Sequence, residues 1–210
     1  MTRLPVGLSR WPRQQRKLED MGCQPASGIP INCFALINYI PGELGRFLNA
    51  LRVELVTGCH AQSHVTLLPP RAIKASTPEA WVAIQAISES LPPFTVTLDE
   101  VQVFPGTNVI YLAIGEGRSM LLESHANFCH GALNNREAFP YHPHVTLAQG
   151  LEPDYVESSA DLARHRWRTY TGPRGFLMND LVFVQNTSTD DWLDLEQLQL
   201  STTAATAVLR

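Results

Sequence analysis

The sequence predicts a fold of mixed strands and helices arranged in two similarly ordered halves. Three observations predict it. The tetrapeptide His-Val-Thr-Leu occurs twice, at residues 64–67 and 144–147, eighty residues apart. Around each copy the pattern of apolar residues runs strand, helix, motif strand, helix, strand. A hydrophobic fraction of 44% and a charged fraction of 17% suit a soluble globular chain, and 210 residues suit one domain or one domain with two lobes.

The elements follow in order. Residues 1–30 are basic and rich in proline, with Pro5, Pro12, Pro25 and Pro30 and no sustained periodicity. They read as a flexible tail. Ile31 to Ile40 is an apolar run of strand length, ended by Pro41-Gly42. Phe47, Leu48, Leu51 and Leu55 keep helical spacing, and Gly58 stops that helix. The first motif strand follows, ended by Pro69-Pro70. Thr77-Pro78-Glu79 opens a helix with a cap residue and proline at its first position, and Trp81, Ile84, Ile87 and Leu91 form its stripe. Phe94 to Phe104 alternates as a long strand with a break near Asp99-Glu100. The second half gives a strand at 109–114, a helix at 120–133, the second motif strand, a helix at 153–165, and strands at 175–184 and 192–200 joined by the polar turn 186–191. The expected domain covers 31–200, with 201–210 as a second tail.

Bulk properties exclude several classes. The net charge of −4 argues against a broad duplex-DNA surface, which needs many Lys and Arg, but leaves room for a short nucleotide or an RNA end. No apolar run approaches membrane-spanning length. The N-terminus has Arg3, Arg10, Arg13, Arg16 and Lys17 but no apolar core of a secretory signal. The four cysteines, Cys23, Cys33, Cys59 and Cys129, form no C-x-x-C pair and read as reduced thiols of a cytoplasmic protein. A monomer is expected.

The repeated motif carries the chemistry. Side chains alternate faces along a strand, so His64 and Thr66 share one face while Val65 and Leu67 share the other. His144 and Thr146 repeat the arrangement. Two such strands facing each other across a cleft bring together two imidazoles and two hydroxyls. That set suffices to cleave a phosphoester. Imidazole titrates near pH 6.5, so one ring can act as base while the other acts as acid. Opposite placement permits in-line displacement at phosphorus, and the hydroxyls donate to the non-bridging oxygens. No metal and no other cofactor is required on this account.

Two His-x-Thr-Leu motifs about eighty residues apart resemble the 2H phosphoesterase superfamily, also called the 2′-5′ RNA ligase-like family. The flanks agree: Phe34-Ala35-Leu36 resembles its opening strand, and the stretches 64–71 and 139–149 resemble its bacterial members. The resemblance spans roughly residues 31 to 200. It implies an α+β, bilobal fold with pseudo-twofold symmetry, in which two antiparallel sheets backed by helices enclose a central groove. It implies His64, Thr66, His144 and Thr146 as the functional set. It also implies cleavage of a 2′,3′-cyclic phosphate or 2′-5′ linkage of a nucleotide or RNA end, with ligation as the reverse. Two alternatives stay open: a nucleotide-binding module without turnover, and a hydrolase of a non-nucleotide cyclic phosphate.

Other residues have competing readings. Arg71 follows the first motif and either reaches a phosphate or solvates its loop. His142, with His144, suggests a metal pair, but no further cluster has ligand spacing, and a cleft-edge position is the better reading. Tyr141 reads as a core or rim aromatic. Phe104 and Trp192 are candidates to stack a base beside the groove, with core packing as the alternative. Cys59-His60 and Cys129-His130 are read as structural rather than nucleophilic. Arg164, Arg166 and Arg168 around Trp167 read as a solvated helix end with a core tryptophan.

Overall fold

A computed structural model describes residues 28–201. The expected tails lie outside the described residues, except for 28–30 and Ser201. The elements run β1 (Pro30–Tyr39), α1 (Gly42–Leu55), β2 (His64–Arg71), α2 (Thr77–Ser88), β3 (Phe94–Val103), β4 (Ile110–Ile114), α3 (Arg118–Phe128), a 3-10 turn (Gly131–Leu133), β5 (His144–Ala148), α4 (Pro153–Thr169), β6 (Gly175–Met178), β7 (Asp180–Thr187) and β8 (Trp192–Gln199). They form two antiparallel four-stranded sheets, ordered β2-β1-β7-β8 and β5-β4-β3-β6. This is the bilobal α+β architecture expected. Each motif strand is the outer strand of its sheet, and β2 and β5 meet without pairing.

One large core lies beneath both sheets. It gathers Leu44, Leu48, Leu51 and Leu55 of α1, Ile84 of α2, Leu121 and Phe128 of α3, and Ala160, Ala163 and Trp167 of α4. Val65, Leu67, Val145 and Leu147 are completely buried in it. Burying each such side chain is worth roughly 1.5–3 kcal/mol. A one-residue slip of either motif strand would turn these four outward, so the core itself holds the histidines and threonines on the groove face. The helices before the motif strands pack across the molecule: α1 lies against β5, and α3 lies against β2.

Several boundaries differ from the sequence reading. β2 continues through Pro69-Pro70 to Arg71. An outer strand tolerates proline where no ladder donor is needed, and the register with β1 shifts by one residue there, with Leu36 opposite Leu68 and Phe34 opposite Arg71. The α2 cap is Ser76, not Thr77; the Glu79 carboxylate accepts from both the Ser76 N–H (2.9 Å) and its hydroxyl (2.7 Å). The helix expected over 120–133 ends at Phe128 and is followed by the separate 3-10 turn, where Gly131 has φ 54°. The strand expected over 175–184 is two strands in different sheets: β6 pairs with β3 and β7 pairs with β1, the chain crossing between sheets at Asn179. The break expected near Asp99-Glu100 is a bulge, since Leu98 faces Ile114 and Val101 faces Leu112.

Candidate active site

The groove side of β2 and β5 carries His64, Thr66, His144 and Thr146, all partly exposed, in strands whose intervening residues are buried. The alternation read from the motif is therefore present in both copies. In each, the ring Nδ1 lies 2.7 Å from the carbonyl oxygen two residues earlier, Gln62 for His64 and His142 for His144. A carbonyl only accepts, so Nδ1 carries the proton in both rings. Nε2 is thereby left to face a ligand, with its lone pair free in the neutral ring. Neither threonine hydroxyl has a hydrogen-bond partner among the described residues, so both remain available as donors.

Electrostatics separate the two rings. Burial pushes His64 down to about 4; its bond to Gln62 opposes this, while the Arg52 guanidinium and His144 add to it. Burial also lowers His144, opposed by its bond to the His142 carbonyl and assisted by the His142 ring. The two rings thus lie within electrostatic reach of each other, and both are mainly neutral at pH 7 without a bound anion.

The other sequence-stated candidates divide. Phe104 stacks on Tyr111 at 3.9 Å between ring centres and stands edge-on to His144 at 5.0 Å and His142 at 5.2 Å. It is therefore beside the second motif, as is the half-exposed His142. Trp192 packs with Tyr39 on a small cluster of Ala35, Ile37, Val182 and Val184, and Tyr39 stands edge-on to His64 at 6.4 Å. Trp192 therefore sits beyond Tyr39 on the first motif's flank. Tyr141 is held by structure: its hydroxyl donates to the Thr66 carbonyl at 2.6 Å and its ring stacks on His125 at 3.9 Å.

Arg71 does neither of the things expected of it. Its buried guanidinium forms an ion pair with Glu137 and donates to the Leu133 carbonyl at 3.3 Å and the Cys129 sulfur at 3.4 Å. The reason is its parity: Arg71 is in step with Val65 and Leu67, on the face of β2 turned to the core. His125, Cys129 and Glu137 have ligand atoms within 4.8 Å of one another. Arg71 donates to two of them and supplies the positive charge a cation would bring, so the cluster reads as an ion network tying β2 to α3. Cys33, Cys59 and Cys129 are free thiols, as expected; Cys23 lies outside the described residues. Trp167 is buried with Arg174 over its ring at 4.6 Å, while Arg164 pairs with Glu157 and Asp161, and Arg166 with Glu54. The core reading of that segment holds.

Sequence reasoning missed Arg52. It is 6% exposed, donates from Nη1 to the Thr146 carbonyl, and its Nε has no partner among the described residues. A signal existed: position 52 lies one turn from both Leu48 and Leu55, a charge inside the buried stripe of α1. Tyr39, Tyr111 and Arg118, which acts electrostatically on His142, were also missed.

Comparison with known proteins agrees with this fold. A family model described as the 2′-5′ RNA ligase superfamily matches residues 42–190. The chain belongs to this family, the 2H phosphoesterases. Proteins of Oceanobacillus iheyensis and Bacillus licheniformis, each named "Putative phosphoesterase", are 29% identical over 98 residues and 30% identical over 93 residues. Those matches take in 42% and 43% of this chain, and the chain spans only 57% and 54% of the two relatives' length. Among solved structures, one described as a phosphoesterase aligns with TM-score 0.56 at 16% identity, covering 82% of this chain and 99% of its own. E. coli LigT complexed with 3′-AMP aligns with TM-score 0.53 at 16% identity over 80% and 97% of the two chains. LigT complexed with NADP+ gives 0.54 at 15% identity over 84% and 99%. At such identities these neighbours establish the fold that the 2H phosphoesterases share. No helix among the described residues is long and apolar enough to cross a membrane.

Proposed function

We propose that this 2H phosphoesterase is a metal-independent phosphodiesterase that cleaves a 2′,3′-cyclic phosphate or a 2′-5′ phosphodiester of a nucleotide or RNA end. The observation that carries this reading is the matched pair of imidazoles with Nδ1 bound to a carbonyl and Nε2 free, on two strands that meet at the groove. One Nε2 takes a proton from water as its oxygen bonds to phosphorus. The bond from phosphorus to the leaving ribose oxygen breaks, and the second Nε2 delivers its proton to that oxygen. Solvent exchange then restores the starting protonation. Thr66 and Thr146 donate to the non-bridging oxygens throughout. Ligation follows the same path with a 5′-hydroxyl in place of water: its oxygen bonds to phosphorus, the bond to the 3′ oxygen breaks and that oxygen takes the proton, and the reverse cleavage exchanges the roles of the rings. Nucleotide complexes of LigT, with 3′-AMP and NADP+, support a nucleotide as substrate. The aromatic surface of Phe104 next to His144 supports a base lying on that side of the groove.

The test is hydrolysis of the four nucleoside 2′,3′-cyclic phosphates in EDTA by wild type, His64→Ala and His144→Ala, with the product isomer read by phosphorus NMR. Turnover that each substitution lowers about 100- to 10,000-fold, the usual cost of losing general acid–base catalysis, supports the mechanism. Near-normal turnover by either variant refutes it. Binding of AMP without hydrolysis of any of the four moves the protein to the binding-module class.

A further inference from the structure

β2 and β5 are outer strands, and an outer strand leaves some of its carbonyls without a ladder partner. Two of those carbonyls belong to the motif threonines, and each is taken by a side chain from the segment that precedes the other motif strand. Arg52, on the helix that leads into β2, donates to the Thr146 carbonyl of β5. Tyr141, in the segment that leads into β5, donates to the Thr66 carbonyl of β2 at 2.6 Å. The two contacts repeat the pseudo-twofold symmetry with different chemistry: a guanidinium on one side, a phenol on the other. Each anchor is itself fixed. Arg52 is buried in the α1 stripe, and Tyr141 stacks on His125, whose Nδ1 donates to the Leu67 carbonyl of β2.

We propose that Arg52 and Tyr141 are a reciprocal pair of positioning residues, each tying the segment before one motif strand to the backbone of the other, so that together they set the spacing of the two catalytic histidines. The proposal rests on the two-histidine reading above. Arg52 has a second effect, because it is a cation with no carboxylate partner among the described residues. Burial disfavours a charge on His64 most; the Arg52 guanidinium of α1 and His144 of β5 add to it, the bond to the Gln62 carbonyl opposes them, and Tyr39 of β1 stands edge-on to the ring. Arg52 therefore adds to burial in holding His64 unprotonated.

The experiment is an NMR titration of the His64 imidazole without substrate, in wild type and in R52M, R52K and Y141F, each with and without His144→Gln. Removing His144 raises the His64 midpoint by an amount that reports how close the rings stand. The expected result is a smaller rise in Y141F and in R52K than in wild type. R52M should move the His64 midpoint upward, and R52K, which keeps the charge, should restore it. An unchanged rise in Y141F and R52K, or an unmoved midpoint in R52M, overturns the proposal. On cyclic phosphate, Y141F should lower kcat about 2- to 12-fold at unchanged KM, the rate equivalent of one neutral hydrogen bond, and wild-type kcat would count against the brace. If wild type hydrolyses no cyclic phosphate, the two-histidine reading fails, while the substrate-free titration still decides whether Arg52 and Tyr141 set the spacing.

Discussion

The pH profile of the reaction follows from the groove. The proposed two-histidine mechanism needs one neutral and one protonated imidazole, so the competent fraction of free enzyme is bell-shaped in pH. Burial pushes His64 down to about 4 and lowers His144 from 6.5, so both limbs lie below 6.5. Above the His144 midpoint the competent fraction falls tenfold per pH unit. At about pH 8.5, two units above the highest value that midpoint takes, kcat/KM should be at least about 100-fold below its maximum. A bound phosphate anion favours the charged forms, so both limbs of kcat should sit higher than those of kcat/KM. The assay is steady-state hydrolysis of a nucleoside 2′,3′-cyclic phosphate from about pH 4 to 9 at constant ionic strength. A kcat/KM that stays level or rises from pH 7 to 9 would refute the reasoning, since it would require an acid that holds its proton above neutrality, and neither imidazole does.

Thr66→Val and Thr146→Val should each lower kcat/KM about 2- to 12-fold, the equivalent of about 0.5–1.5 kcal/mol for one neutral donor, and kinetics at the acidic optimum will check this. Phe104→Ala should raise KM for cyclic nucleotides by the equivalent of about 1–3 kcal/mol while sparing a phosphodiester without a base; an equal loss on both substrates would remove Phe104 from base recognition. Glu137→Gln leaves the Arg71 guanidinium buried without its counter-charge, and denaturant unfolding should show a loss of about 3–5 kcal/mol. Folded His64 resists the proton that the unfolded chain takes up near 6.5, so stability should decline as pH falls from 6.5 toward 4; His64→Gln should flatten that slope, and an unchanged slope would contradict the burial of His64.

The two motif strands were legible because period-two alternation and a repeated tetrapeptide encode both strand and face. Val65, Leu67, Val145 and Leu147 confirm that reading by their complete burial. Phe104 was legible as an aromatic near the groove but not as a neighbour of His144, because the two come together only through strand pairing across β3, β4 and β5. Arg71 misled, since adjacency to a motif was weighed above parity: position 71 is in step with Val65 and Leu67 on the core face of β2. Arg52 left a trace, a charge in an apolar helical stripe, but its target in β5 lies 94 residues away along the chain. Gly175 to Val184 read as one strand because each half has strand propensity; which sheet each half joins is decided by partners, not by local sequence.

The crossing at Asn179 makes the two lobes inseparable in time as well as space. The first sheet holds β1 at one end of the described residues and β7 and β8 at the other, with Leu36 opposite Phe183. Its centre cannot close until β7 is available, about 150 residues after β1, and pairing over that separation is entropically slow. During synthesis the β2 histidine therefore waits on an unfinished sheet while the other half already has all its strands. Pulse-labelled hydrogen exchange during refolding should find the β1–β7 amides protected after those of β3–β4, so the groove is complete only once β7 and β8 dock.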